Sequence, residues 1–359
     1  MWPVQASIQL SAERGSLTGF FFHFRIPGVR LILAGLLAFL ICLGQGCTKE
    51  NGTAQPAKVV LAEATQPVCA PVYVAAEKGF FKEEGLDVQL ASFTKGKLCL
   101  DTLLGGKAEF ATVAETPLMN VGFTKQPVAI LCTMLHATNN TQCVARKDRG
   151  ILKPEDLRGR KLGVPIGGNA EYFMDKFLEK YGLTRQDVTV INLNPSEMVT
   201  VLVRGDIDAS FTWEPNAIRT VNQLGDKAIV FVGGNIYRET FEMAAMKPWA
   251  EGHQDDCKRL LRALIKAVDF IHANKDESVR IVAKRIQMEP TELAAIWGNY
   301  TFDIGLDRSL MDLLVDQAKW AIASGMQQGQ VPDYAANVYS SVLRAVNSAA
   351  VSLPATSNH

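Results

Sequence analysis

The sequence predicts an α/β protein of two lobes, each a mostly parallel sheet flanked by helices, with a helical segment near its C-terminal end. Two stretches alternate strand-like and helix-like patterns, one over residues 58–114 and the other over residues 161–212. Alternation at this spacing produces parallel strands joined by right-handed crossovers. From residue 255 to 347 the pattern is nearly all amphipathic helix, as in KRLLRALIKAVDFIHA. Two α/β units and a helical segment therefore imply two lobes.

The first unit is predicted from three apolar runs and the turns between them, and its strands are expected over residues 58–64, 86–93 and 109–114. The first intervening helix carries Pro71 in its first turn, where a missing N–H donor costs nothing. It ends at Gly79, which suits a left-handed terminus. Phe80 and Phe81 are expected to fold back over the end of that helix. The second helix opens at residues 94–97 and ends at the glycines that follow it.

The second unit repeats the alternation, with strands expected over residues 161–166, 188–193 and 209–212. The helix over residues 170–181 carries apolar side chains at spacings of three and four, so one face packs on a sheet. Asn194, Pro195 and Glu197 supply a cap, a first-turn proline and a capping-box acid for the next helix. Gly205 ends that helix before the third strand.

Composition narrows the classes of function. The 359 residues are 48% hydrophobic and 21% charged, with a formal net charge of zero. A chain of this composition can bury one large core or two smaller ones. Nucleic-acid recognition needs a basic surface, and the sequence has no Lys/Arg-rich run with interleaved aromatic residues. A nucleic-acid partner is therefore not expected.

The N-terminal region has the pattern of an export signal. Residues 31–43 read LILAGLLAFLICL, with Arg25 and Arg30 before them and small residues leading to Cys47. The run is shorter than the ~20 residues of a membrane-spanning helix and has the flanks of a signal peptide. It resembles a lipoprotein signal, although Gly44 stands where a leucine is usual. Residues 1–46 are thus predicted to be the leader and Cys47 the lipid-modified N-terminus, followed by a linker over residues 47–57.

Two alternatives to lipidation remain, plain secretion and an uncleaved anchor. The segment before Val29 is unusually long and aromatic for a leader, and we hypothesise that translation starts at Val29. Detection in cells of any peptide from residues 1–28 would contradict that hypothesis.

The cysteines do not form a metal or redox motif. Without Cys42 and Cys47, five remain, which is an odd number and cannot pair completely within an exported chain. No pair has CxxC spacing, and none lies at zinc-ligand spacing from a histidine. We expect small buried side chains, with no metal and no cofactor; the five are Cys69, Cys99, Cys132, Cys143 and Cys257.

Four motifs together resemble a known family. They read AEKGFFKEEGLDVQ, GGKAEFATVAETP, PEDLRGRKLGVPIGG and VRGDIDASFTWEPN, and they lie between residues 76 and 216. Their order and spacing are similar to those of the nitrate/sulfonate/taurine solute-binding proteins of ABC importers, relatives of the Thi5 thiamine-pyrimidine proteins. The resemblance covers about residues 58–345.

The resemblance implies a type II periplasmic binding protein fold that closes on a small ligand. One lobe would comprise residues 58–138 plus 238–347, the other residues 139–237, and residues 348–359 would form a flexible tail. It further implies a monomer outside the cytoplasm, lipid-anchored to the membrane through Cys47, that delivers its ligand to an ABC permease and its ATPase.

Candidate ligand contacts follow from the physics of such a cleft. Ligands of open parallel sheets bind beyond the carboxyl ends of the strands, where helix N-termini favour anionic or accepting groups. The loops at those ends carry Thr65 and Gln66; Thr94 and Lys95; Glu115 and Thr116; and Gly167, Gly168 and Asn169.

Each candidate also has a purely structural interpretation. Lys95 can be a solvated lysine, Glu115 a helix cap or local ion-pair partner, and residues 167–169 a tight turn and helix cap. Trp213 and Glu214 match the family's WEP motif near the cleft. We favour Trp213 as a wall of the cleft and Glu214 as a hinge or cap. Weaker candidates are Tyr73, His136, Asn139 and Tyr237.

The ligand class stays open at this point. Thr94, Lys95 and the helix N-termini suit a sulfonate, nitrate or carboxylate, whereas Glu115, Glu214 and Trp213 suit an amine or a planar heterocycle such as a pyrimidine. No arginine lies in the candidate loops to bind a sulfonate in a bidentate manner. Two other functions remain, a lipoprotein that senses a solute and signals to a membrane partner, and an enzyme like Thi5 or those of menaquinone synthesis. We expect no catalysis, because no catalytic motif stands out.

Overall fold

The computed structural model describes residues 55–234 and 236–353. The predicted leader, Cys47 and the linker before residue 55 lie outside the described residues, as does the end of the predicted tail. No helix among the described residues is long and apolar enough to span a membrane.

The first sheet has six strands in the order β11-β4-β10-β3-β1-β2. β1 pairs in parallel with β2 and β3, while β10 runs antiparallel to β3 and β4, and β11 antiparallel to β4. The sheet is therefore mixed, with a parallel part built from the three strands that the sequence predicts. Its strands are β1 Ala57–Ala64, β2 Leu86–Phe93, β3 Phe110–Ala114, β4 Val128–Ala137, β10 Glu239–Met246 and β11 Tyr300–Gly305.

The second sheet has five strands in the order β7-β6-β8-β5-β9. β6 pairs in parallel with β7 and β8, and β5 runs antiparallel to β8 and β9. The two sheets define two lobes. The lobe bounds given above stay a prediction, although β10 and β11 return to the first sheet after the second is complete. The strands are β5 Thr141–Arg146, β6 Lys161–Val164, β7 Thr189–Asn192, β8 Ala209–Trp213 and β9 Ala228–Val232.

Helices cover the faces of both sheets. Helices with one apolar stripe bury it against the sheet and leave the polar side in water. The α-helices are α1 Ala70–Glu77, α2 Phe80–Glu83, α3 Gly96–Leu104, α4 Glu115–Thr124, α5 Asn169–Lys180, α6 Met198–Arg204, α7 Asn216–Leu224, α8 Lys247–Gly252, α9 Gln254–Ala273, α10 Lys275–Ile286, α11 Pro290–Ile296, α12 Arg308–Ala323 and α13 Ser340–Val346.

Two local expectations differ from the structure. Gly79 is left-handed, with φ 78°, as predicted, but the residues after it form the one-turn helix α2 rather than a lid on α1. Phe81 is buried, and the ring of Phe80 meets Phe270 of α9 edge-on at 6.3 Å. Both rings therefore pack into the first lobe instead of over the preceding helix end. The helix expected from Asn194 begins only at Met198, because the Glu197 carboxylate accepts from the Asn194 backbone N–H in a separate turn before it.

The helical C-terminal segment is interrupted by β11, which the sequence reading missed. The burial of Tyr300–Gly305 alternates between buried and exposed, as expected for a strand whose two faces see core and solvent. Residues 348–352, the start of the predicted flexible tail, are hydrogen-bonded to the loop after β11. The Ser352 N–H donates to the Leu306 carbonyl at 3.0 Å, and Val351 is buried.

The five cysteines expected to be small buried side chains are all buried, and none forms a disulfide within the described residues. Burial raises the pKa of the Cys99 and Cys257 thiols to about 12. Thiols of this kind are poor nucleophiles at neutral pH.

Helices α5 and α12 connect the two lobes. The Trp320 indole Nε1–H donates to Asp175 at 2.7 Å, and the Tyr172 hydroxyl donates to Asp316 at 2.5 Å. The rings of Tyr172 and Trp320 meet edge-on at 5.2 Å. We call these four residues the interlobe clasp. It holds the middle of α5, a helix of the second lobe, against a helix of the first.

Candidate ligand-binding cleft

A cleft lies between the two sheets at the carboxyl ends of their parallel strands. It has about 520 Å³ of space not occupied by protein atoms, including its open mouth. Both lobes contribute walls, and the lining residues are Gln66, Lys95, Gly96, Lys97, Ala114, Pro117, Pro165, Ile166, Gly167, Gly168, Asn169, Trp213, Glu239 and Phe241.

Gln66 and Lys95 bring the first two predicted loops to the cleft. Gln66 follows β1 and is 6% exposed, and its amide Nε2 donates to the Thr94 carbonyl at 3.2 Å. The amide oxygen of Gln66 accepts no hydrogen bond from the residues that the structure describes. Lys95 is the residue before α3, is half-buried, and supplies a positive charge to the lining.

Gly96 allows the N-terminus of α3 to approach the sheet closely. A Cβ atom at this position would lie 3.3 Å from the Ala114 nitrogen, the Val113 Cα and the Phe241 ring. Such contacts are tighter than nine in ten real Cβ contacts, so a larger residue would require its neighbours to shift by a few tenths of an ångström. Because the first N–H groups of a helix lack partners within the helix, their distance from the cleft matters for anion binding.

An ion pair that includes a buried carboxylate holds the loop before α5 in place. Gly167 is left-handed, with φ 84°, and its backbone N–H donates to the Glu171 carboxylate at 2.7 Å. Glu171 is buried and accepts from Arg185 at 2.6 Å. The arginine neutralises the buried carboxylate, which in turn fixes the glycine loop. Residues 167–169 therefore form the tight turn expected from the sequence and also line the cleft.

Trp213 forms an apolar wall opposite the first lobe. It is the last residue of β8 and is 7% exposed. Phe241 and Pro117 of the first lobe and Pro165 and Ile166 of the second complete the apolar lining. Ile166 is half exposed at the mouth. An aromatic wall with a few polar groups is the usual make-up of a small-molecule pocket.

Glu239, which the sequence reading missed, lies at the floor of the cleft. It opens β10 and is 2% exposed. Its Oε1 accepts from the Asn169 amide at 2.8 Å, and its Oε2 accepts from the Asn140 amide and the Thr141 hydroxyl, both at 2.9 Å. The sequence signal was weak, because strand β10 is almost wholly buried and shows no alternation. Glu239 and Glu242 can be recognised as buried acids only when the position of β10 in the sheet is known.

Five predicted ligand residues do not line this cleft, so their contact with a ligand stays a prediction. Thr65 lies beside it, with its N–H bonded to Phe93, and Thr94 is exposed and supplies its carbonyl to Gln66. The remaining three are buried. Thr116 donates its hydroxyl to Glu115.

Glu115 and Glu214 are buried, and each accepts hydrogen bonds from more than one element of the protein. Glu115 accepts from the Tyr237 hydroxyl, from the Gln317 amide at 2.8 Å and from the Thr240 N–H at 3.1 Å. Glu214 accepts from the Gln142 amide at 3.0 Å and from the Ile218 N–H in the first turn of α7 at 2.9 Å. For Glu214 this is the cap geometry that was favoured from the sequence.

The weaker candidates are spread over several places. Tyr73 donates to the buried Glu63 behind the first loop, and Tyr237 donates to Glu115. His136 lines a different cavity, with Asp303, Asp307 and Asn347 beside it. Asn139 lies in the segment that crosses between the lobes.

Burial changes the pKa values of the carboxyl groups in and around the cleft. Burial raises the pKa of Glu239 to about 8 and that of Glu214 to about 7, and it raises the pKa of Glu115 and Glu242 as well. The cause in each case is the loss of hydration of the carboxylate. No group of three or more His, Cys, Asp or Glu side chains suited to a metal ion occurs in the part of the chain that the structure describes.

Two mixed α/β lobes with a polar-rimmed cleft between them define the class of two-lobed periplasmic binding proteins. The fold is similar to that of the alkanesulfonate-binding protein SsuA from Xanthomonas axonopodis pv. citri bound to MOPS, with a TM-score of 0.69 at 15% identity. The match covers 80% of this chain and 100% of that protein.

The sequence identifies the family within this class. The NMT1/THI5-like family model matches residues 66–278, and the chain belongs to that family. The taurine-binding periplasmic protein of Escherichia coli (strain K12) is 27% identical over 219 residues, which are 59% of this chain and 67% of that protein. A 4-amino-5-hydroxymethyl-2-methylpyrimidine phosphate synthase of Aspergillus parasiticus is 30% identical over 149 residues, 41% of this chain and 43% of that enzyme.

Proposed function

We propose that this protein is an extracytoplasmic solute-binding protein of an ABC importer, with a small sulfonate-type solute such as taurine as its ligand. The observation that carries the proposal is the cleft lined from both lobes, with Gln66 and Lys95 on one side and Asn169 and Trp213 on the other. The likeness to a taurine-binding periplasmic protein supports the location and the ligand class.

Binding and release require only a change in the separation of the lobes. A ligand that touches both lobes stabilises the closed arrangement by its differential affinity for it. A permease that recognises the closed arrangement then accepts the loaded protein. The helix N-termini of α3 and α5, with Lys95, suit the anionic end of the ligand.

Lipid attachment through Cys47 is part of the proposal. The mature chain would begin at Cys47, be tethered to the membrane beside the permease and its ATPase, and act as a monomer. Metabolic labelling with a fatty acid, compared between the natural chain and Cys47→Ser, tests the attachment. Equal labelling of both would contradict it.

A thermal-shift screen tests ligand binding. The panel is taurine, alkanesulfonates, nitrate, bicarbonate, aminomethyl-pyrimidines and riboflavin. A ligand at a hundredfold excess over its Kd stabilises the folded state by about 2.7 kcal/mol. We expect sulfonates to raise the melting temperature of the natural protein and to have little effect on Trp213→Ala.

The matched control is Trp297→Ala. Trp297 is 6% exposed against 7% for Trp213, so both substitutions remove a buried indole, but Trp297 does not line the cleft. We expect the control to melt earlier yet keep the ligand-induced shift. A natural protein that no solute in the panel stabilises would contradict the proposed function.

Sensing is the second candidate function, because a closing lobe pair can signal to a membrane receptor as well as to a permease. The neighbouring genes separate the two: a permease and an ATPase support import, and a histidine kinase supports sensing.

An enzyme is not proposed. The synthase relative covers less than half of the chain, and the cleft lining has no cysteine or histidine.

A further inference from the structure

The floor of the cleft has a buried carboxyl group that pairs with no cationic side chain among the described residues. Six carboxylates are buried among the described residues. Glu63 and Glu171 each pair with an arginine, at 2.9 and 2.6 Å. The other four, which include Glu239, have only neutral hydrogen-bond donors in the part of the chain that the structure describes; they are Glu115, Glu214, Glu239 and Glu242.

Glu239 is the one of these four that lines the cleft. Its three partners are the amides of Asn140 and Asn169 and the hydroxyl of Thr141, all of them neutral. They fix the orientation of the carboxyl group and bring no positive charge to it. A carboxylate oxygen can accept from two donors, and among the described residues Oε1 accepts from Asn169 alone, which leaves it one acceptor position for a further donor.

We infer that the solute carries a protonated nitrogen that donates to Glu239, and that Glu239 thereby selects a short ammonium-bearing zwitterion over a simple anion of the same size. The inference deepens the proposed function and rests on it. The anionic end of the zwitterion lies at Lys95 and the first turn of α3, and the ammonium end lies at the floor, against the wall formed by Trp213.

The competing arrangement is a protonated Glu239 that donates to an anion. Burial raises the pKa of Glu239 to about 8, so the empty cleft holds a mostly neutral carboxyl at pH 7. An ammonium group would displace that proton, because the opposite charge favours the carboxylate. A simple anion would retain it. The two arrangements therefore differ in proton release on binding.

A matched pair of solutes tests the inference by calorimetry on the natural protein. Taurine and ethanesulfonate share a skeleton and differ by the amino group. A hydrogen bond to a charged group contributes about tenfold or more in affinity, so taurine is expected to bind at least about tenfold more tightly. The same comparison is made between an aminomethyl-pyrimidine and its methyl analogue.

The Glu239→Gln variant assigns the preference to one residue. It is expected to lose about tenfold or more in taurine affinity while its ethanesulfonate affinity changes by less than about threefold. Glu109→Gln is the matched control: it replaces a half-buried carboxylate of the first lobe whose partner is the Val60 N–H, and it leaves the cleft untouched. Glu109→Gln should keep both affinities.

Binding heats in two buffers of different ionisation enthalpy give the number of protons released. Other titratable groups face Glu239: Glu115 from α4, Glu242 from β10, Tyr237 from the crossing segment and Tyr300 from β11. Lys95 lines the same cleft. Release with taurine in the natural protein and none in Glu239→Gln supports the inference, because the variant keeps all these other groups.

Three outcomes would overturn the inference. Ethanesulfonate could bind as tightly as taurine, Glu239→Gln could weaken both solutes equally, or taurine could bind without releasing a proton. Each would leave the proposed function standing. A natural protein that binds none of the solutes in either comparison or in the thermal-shift panel would instead overturn the proposed function itself.

Discussion

Glu214 illustrates how one residue can be placed correctly from sequence while its chemistry cannot. The WEP segment predicted an acid at a strand end before a helix, and the carboxylate caps the first turn of α7. The sequence could not show that the side chain is buried, or that its hydrogen-bond donors within the described residues are the Gln142 amide and a backbone N–H. Burial depends on the antiparallel pairing of β5 with β8, a long-range contact that no local pattern encodes.

We predict a pH-dependent stability from Glu214. Its pKa is raised to about 7 in the folded protein from about 4.5, so the folded state binds the proton more tightly than the unfolded chain. The folded state is therefore favoured fully at low pH, and this contribution is lost as the pH rises from about 4.5 through about 7. The shift corresponds to roughly 3 kcal/mol.

Urea unfolding of the natural protein and Glu214→Gln between pH 4.5 and 8.5 measures this contribution. Glutamine keeps an acceptor for the Ile218 N–H and cannot ionise. The variant should gain stability relative to the natural protein across this range, by up to roughly 3 kcal/mol. A difference between the two proteins that does not change with pH would show that Glu214 titrates normally.

At the scale of elements, the parallel strands were predictable and the antiparallel ones were not. Strands β1, β2 and β3 lie between helices with glycine ends, so each is bounded by local signals. Strand β10 has seven buried residues out of eight and shows no alternation. Strand β11 is short and lies within a long helical pattern. Most of the cleft lining came from the predicted loops, while Glu239 and Phe241 were missed because β10 was missed.

The interlobe clasp is the element-scale feature that we expect to affect ligand affinity without touching the ligand. Helix α5 begins at Asn169 in the cleft, and its middle is bound to α12 through Trp320 and Asp175. The Trp320→Phe variant keeps an aromatic ring and removes the N–H donor. Loss of one such hydrogen bond to a charged acceptor costs about 1.5–3 kcal/mol, part of which falls on lobe closure. We therefore expect roughly three- to tenfold weaker taurine binding.

Trp297→Phe is the control for the clasp, because Trp297 packs on Phe302 in the first lobe, away from both the clasp and the cleft. The two variants are compared by calorimetry with taurine, and their melting temperatures report any general loss of stability. Equal affinities for Trp320→Phe and Trp297→Phe would show that the clasp has no part in closure.

At the scale of the whole molecule, contacts of several kinds join the two lobes in the part of the chain that the structure describes. The chain crosses between the sheets near residues 138–140 and returns between the end of β9 and the start of β10. The hydrogen bonds that Glu239 accepts join β10 of the first sheet to Thr141 and Asn169 of the second lobe. The clasp joins α5 to α12. A ligand in the cleft would add a further contact between the lobes, close to Glu239.

This arrangement predicts that ligand and clasp act on the same equilibrium. A ligand that bridges the lobes favours the compact arrangement, and the clasp favours it in the absence of ligand. In small-angle scattering, the Trp320→Phe variant should therefore have a larger radius of gyration than the natural protein without taurine and the same radius with saturating taurine. Ligand-induced compaction should be greater in the variant, because more of its population starts open. The contradicting result is a variant whose radius of gyration exceeds that of the natural protein by the same amount with and without taurine. It would mean that the clasp sets the separation of the lobes in both states and does not act on the equilibrium between them.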